Sequence, residues 1–127
     1  MTFRSLAPLV LAGALGLAAC GGGGGSSSSD TIPADADVVV KAIDGIKWDQ
    51  SSYSATAGDV VIAAVNVSSL PHNLYIVAAD GTQLPNMLDL TSKGKVATET
   101  VTLSAGEYTL ICTVPGHANM KAILTVS

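Results

Sequence analysis

Beyond about residue 36, short apolar runs rich in Val, Ile, Leu and Thr recur between turn signals, and none repeats at helical spacing over a useful length. Residues 37–43 make a first strand, stopped by Asp44-Gly45, and shorter extended pieces follow at 46–48 and 52–56. Residues 60–67 are apolar on both faces, the pattern of a central strand. In 72–79 strict alternation puts His72, Leu74 and Ile76 on one face, so His72 points inward at the mouth of its strand. The segment 82–92 is the least regular. There Pro85-Asn86 predicts a short helix running through Leu90, with Met87 packed into the core. A threonine-rich run at 95–103 reads as an edge strand. Ala105-Gly106 then turns into 107–112, where Tyr108, Leu110 and Cys112 share a face. Met120 opens a last strand, with Ala122, Leu124 and Val126 beside it on the apolar face. Short strands at this spacing predict an all-β sandwich.

The first twenty residues follow other rules. Arg4 supplies a short positive region, 6–19 is an apolar run too short to span a bilayer, and Leu17-Ala18-Ala19-Cys20 resembles the bacterial lipobox. Residues 1–20 are therefore read as a lipoprotein signal peptide, with Cys20 as the lipidation site. The Gly/Ser-rich stretch that follows cannot bury apolar surface, so 21–36 is a tether and 37–127 the folded domain. Some fifteen flexible residues hold the domain roughly 20 Å from its anchor. The expectation is an exported monomer, lipid-anchored to a bacterial membrane and facing the periplasm or cell exterior.

Charge narrows the partners. Losing Arg4 with the leader leaves five lysines against ten acidic residues, and a chain so acidic is no partner for nucleic acid. The acidic residues are scattered, as on a solvated surface.

Cysteine usage narrows the chemistry. With Cys20 taken by lipid, Cys112 has no disulfide partner, and an unpaired thiol in an oxidising compartment is a liability unless something occupies it. Cys112, His117 and Met120 meet within nine residues, around a Pro115-Gly116 turn. The chain's other histidine, His72, stands in Leu70-Pro71-His72-Asn73 at another strand mouth. Singly, each has a blander reading: a buried Cys behaves as a small hydrophobe, and a Met opening a strand is usually core. Together, the only two histidines and the one available thiol converge at one end of a sandwich. Soft sulfur and imidazole suit copper, and zinc is the weaker alternative.

These residues make the chain similar to the cupredoxins, the small blue-copper proteins of the plastocyanin, azurin and auracyanin type. The resemblance runs from about 37 to 127 and is strongest at Pro71-His72-Asn73 and over 108–126. It implies a Greek-key β-sandwich holding one copper ion through His72, Cys112, His117 and Met120. It also implies that Asn73 bonds Thr113 and ties the two ligand loops together. Four residues separate Cys112 from His117 but only two separate His117 from Met120, where relatives with the longer first gap carry a longer second one. The axial position thus falls to Met120 or to a backbone carbonyl near Pro71.

The function implied is electron transfer, with redox partner proteins docking transiently near His117 on a patch of Leu70, Pro71, Pro115, Gly116 and Ala118. The alternative is a copper-binding protein for storage or delivery, for which the chain adds no cluster of extra donors. An enzyme is not expected. Copper oxidases and nitrite reductases need further histidines, and a two-copper centre needs a second thiol.

Overall fold

The computed structural model describes residues 31–127. The expected signal peptide, its Cys20 and the expected tether up to residue 30 lie outside the described residues. Within them, nine strands form two sheets and no helix occurs: β1 Val38–Ile43, β2 Lys47–Trp48, β3 Ser52–Ala55, β4 Gly58–Asn66, β5 His72–Val77, β6 Gln83–Leu90, β7 Val96–Leu103, β8 Gly106–Ile111 and β9 Lys121–Val126. One sheet runs β2-β1-β4-β7 and the other β3-β9-β8-β5-β6. The chain passes repeatedly between them, as the Greek-key sandwich expectation requires.

Alternation explains most of this. Along β5, His72, Leu74 and Ile76 are buried while Asn73, Tyr75 and Val77 are half-buried on the outer face. Along β9, Ala122, Leu124 and Val126 are buried. The apolar run in β4 is central, flanked by β1 and β7, and the threonine-rich β7 closes that sheet at its edge. Ile62 from one sheet shares a single core cluster with Leu74, Ile76, Leu88, Leu90, Leu110 and Leu124 from the other, all fully buried. Burying each such side chain contributes about 2 kcal/mol, so the interleaved faces drive the closure of the two layers.

Two expectations fail in β6. The segment holding Pro85 and Asn86 is a strand, and it forms no helix. A local helix-start signal yields here to an edge position in the sheet, where a proline's missing N–H is tolerated. Pro85 falls where the β5–β6 register slips between Tyr75 and Val77, so no ladder bond is lost to it. The second failure is Met87, which is 43% exposed on the outer face opposite Tyr75, not core. In β6 the inward parity belongs to Leu84, Leu88 and Leu90.

Strand order positions the site. β9, β8 and β5 are neighbours, and β8 is antiparallel to both. The start of β5, the end of β8 and the start of β9 therefore lie at one end of the sandwich. His72 opens β5, Cys112 directly follows β8 and Met120 directly precedes β9.

Candidate metal centre

Two tight turns carry the chain from Cys112 to Met120. His117 N–H donates to the Val114 carbonyl at 3.0 Å, with Pro115 and Gly116 between them. Gly116 has φ 88°, the left-handed value that the third position of a type II turn demands, and proline suits the second. Met120 N–H then donates to the His117 carbonyl at 2.9 Å, and Cys112 N–H to the Met120 carbonyl at 3.3 Å. The Pro-Gly pair thus folds the loop back so that His117 hangs over Cys112.

Three of the four sequence-predicted residues, His72, Cys112 and His117, converge. Cys112 Sγ lies 3.6 Å from His117 Nδ1 and 4.0 Å from His72 Nδ1, and the three donor atoms all fall within 4.8 Å of one another. The two imidazole rings sit 4.9 Å apart, tilted by 44°. His72 and Met120 are fully buried, Cys112 is 5% exposed and His117 7%. Burial, reinforced by the nearby His117, lowers the His72 pKa below its ordinary value. That favours the neutral imidazole, the form that binds metal. Cys112 is a free thiol, as expected.

The tie between loops forms as the resemblance implied. Asn73 Oδ1 accepts from Thr113 N–H at 2.7 Å, and Asn73 Nδ2 donates to Thr113 Oγ1 at 2.9 Å. This fixes the residue after Cys112 against the residue after His72. Of the patch expected near His117, Leu70, Pro71, Pro115, Gly116 and Ala118 are all exposed.

Sequence reasoning missed two residues. Ser68 Oγ lies 2.8 Å from His72 Nε2, the ring nitrogen facing away from Cys112. Asn66, fully buried, holds Ser68 in turn: its Oδ1 accepts from Ser68 N–H at 2.9 Å and lies 2.9 Å from Ser68 Oγ. The available signal was the Asn66-Val67-Ser68 spacing, because an Asn side chain commonly caps the backbone two residues on.

One thiol and two imidazoles make a soft, water-poor donor set that suits copper, with a buried thioether residue close in the chain. The sequence pattern of the copper-binding proteins of the plastocyanin/azurin family matches residues 34–127. The chain belongs to that family. Solved cupredoxin structures share its fold. Auracyanin from Roseiflexus castenholzii aligns with TM-score 0.62 at 20% identity, covering 71% of this chain and 95% of that one. Auracyanin A from Chloroflexus aurantiacus, described as a "blue" copper protein, aligns with TM-score 0.61 at 23% identity, covering 70% and 96%. A reduced Cu(I) amicyanin variant gives 0.59 at 24%, covering 81% and 94%. No curated protein sequence matches the chain. For this cupredoxin the donor set fits one type 1 copper ion.

Proposed function

We propose that this cupredoxin is a membrane-tethered, extracytoplasmic electron carrier with a mononuclear blue copper site. In this reading His72, Cys112 and His117 hold the ion and Met120 is its weak axial donor. One observation carries the reading: three buried donor atoms from two distant loops lie within 4.8 Å of one another in the folded chain. Copper, when bound, supplies a one-electron Cu(II)/Cu(I) couple.

The chain supplies the rest. His72 and Cys112 sit at strand ends, and the Asn73–Thr113 bonds tie their loops, so the donors are positioned by the scaffold. Donors fixed in this way rearrange little when an electron arrives or leaves. His117 is nearly buried, while Pro115, Gly116 and Ala118 on its own loop and Leu70 and Pro71 before His72 are exposed. Apolar residues exposed on the ligand loops suit a small, transient redox interface. Storage or delivery is disfavoured by the same burial. Hand-off requires an incoming donor to reach the ion, and His72 at 0% and Cys112 at 5% exposure shield it.

Adding copper should give one equivalent bound and an intense visible charge-transfer band. Cys112→Ser should abolish the band while leaving the sandwich folded, because the core does not depend on the thiol. A band that survives this change removes Cys112 from the ligand set. Preferential uptake of zinc during reconstitution would instead support a structural site. The tether is tested separately. Full-length protein made in a bacterium should partition into detergent, and Cys20→Ala should release it. Recovery of unaltered protein as a freely soluble species would sink the anchor.

A further inference from the structure

The ring nitrogen of His72 that faces away from Cys112 rests on a polar pair whose protons can be counted. Asn66 Nδ2 faces two carbonyl oxygens, Leu70 O at 2.7 Å and Leu90 O at 2.8 Å. Both of its amide protons are therefore spent, and the orientation of the amide is assigned, since a flipped side chain would set oxygen against two carbonyls. Asn66 Oδ1 accepts from Ser68 N–H and faces Ser68 Oγ at 2.9 Å.

Ser68 Oγ has one proton to give. Asn66 Oδ1 at 2.9 Å and Leu70 O at 3.2 Å can only accept it, and Leu70 N–H at 3.2 Å can only donate. If the proton went to His72 Nε2, Oγ and Asn66 Oδ1 would face each other with no proton between them. With the proton on Asn66 Oδ1, the two Oγ lone pairs accept from Leu70 N–H and from His72 Nε2–H. Every donor and acceptor in the cluster is then used. Ser68 is 1% exposed and Asn66 fully buried, so water is poorly placed to relieve the other arrangement.

We propose that Ser68, polarised by Asn66, is a positioning residue. It locks His72 in the Nε2-protonated tautomer, so that the bare Nδ1 faces Cys112 before any metal arrives, and it sets the donor strength of His72 afterwards. A hydroxyl alone has no preferred direction, since it can give or take a proton. The buried amide of Asn66 supplies the direction. The effect on the metal rests on the copper reading above, but the tautomer does not.

The first measurement therefore uses metal-free protein. Nitrogen-15 NMR of the neutral imidazole should find His72 protonated at Nε2, and Ser68→Ala should let the two tautomers mix. The second uses copper-loaded protein. Ser68→Ala should keep the visible band, lose copper affinity by about 10–100-fold and raise the reduction potential, because an imidazole without its acceptor donates less to Cu(II). Ser68→Thr, which keeps the hydroxyl, should restore the tautomer, the affinity and the potential. Nδ1 protonation in the unaltered metal-free protein overturns the proposal. So does a Ser68→Ala variant that loses thermal stability with tautomer and potential unmoved, which would make the serine purely structural. If unaltered protein never develops the band, the copper reading fails, and the metal-free tautomer still decides the role of Ser68.

Discussion

Two asparagines clasp the metal end of this cupredoxin under different conditions. Asn73 sits on the outer face of β5 and reaches Thr113, forty positions along the chain, through three contacts of 2.7–3.1 Å. Asn66 closes β4 in full burial and bonds Ser68 and the Leu70 carbonyl on its own loop, with the Leu90 carbonyl on β6 of the other sheet. The side chains are identical, and so is the number of groups they can satisfy. Their surroundings differ. If Asn73 loses a partner, water can take its place, whereas at Asn66 the orphaned groups stay buried. An unsatisfied buried group costs about 1–3 kcal/mol, against about 1 kcal/mol net for an ordinary hydrogen bond. The half-exposed clasp thus couples two ligand loops, and the buried one shapes the loop before His72 and pins it to β6 of the other sheet.

The comparison breaks or holds on a pair of substitutions in the metal-free protein, where bound copper cannot mask a loss of stability. Asn66→Ala strands the Leu90 carbonyl and the Ser68 amide and takes the Leu70 carbonyl's nearest donor, so it should destabilise by about 3 kcal/mol, or roughly 15 °C in midpoint for a domain of this size. Asn73→Ala should cost only about 1 kcal/mol, roughly 5 °C. The copper-loaded forms should show a second contrast. Losing the Asn73–Thr113 tie frees the residue beside Cys112 and should broaden the visible band, although the fold is hardly weakened. Equal thermal losses from the two substitutions would mean that burial does not distinguish the clasps.

The same pair marks how far the sequence could be read. Asn73 was legible because it adjoins His72 in a motif that resembles a known family, and its partner follows Cys112 directly. Asn66 and Ser68 carry no such mark. Asn66 ends β4, a run apolar on both faces where alternation assigns no inward side, and Ser68 stands in the loop beyond it; their importance depends on Leu90 O arriving from another strand. Strands such as β5 and β9 were legible because period-two burial is a property of the strand itself. β6 was not, since Pro85-Asn86 is a valid local signal for a helix start, overruled by tertiary pairing with β5. Met87 followed from the same misreading, because without a register the inward parity of that segment could not be assigned. The ligand set was the most legible feature of all. With two histidines in the whole chain and Cys112 the one cysteine of the 37–127 stretch, little choice was left.

Met120 gives the smallest expected effect and the cleanest control on the comparison, because neither clasp bonds to it. Its backbone is fixed by His117 O and Cys112 N–H, so a change of side chain leaves the loop's turns in place. It is fully buried in the core cluster that also holds Cys112. Met→Leu nearly conserves volume and should cost less than about 1.5 kcal/mol. If the thioether is the weak axial donor, Met120→Leu should keep the blue colour and raise the reduction potential, since losing a neutral donor disfavours Cu(II) more than Cu(I). Met120→Gln brings a harder oxygen donor and should lower it. A packing role predicts the reverse profile, with lost stability and an unchanged potential. Voltammetry and thermal midpoints measured together on both variants separate the two roles. A potential that stays put in both would return Met120 to the core and leave His72, Cys112 and His117 as the whole ligand set, with the clasps alone governing its geometry.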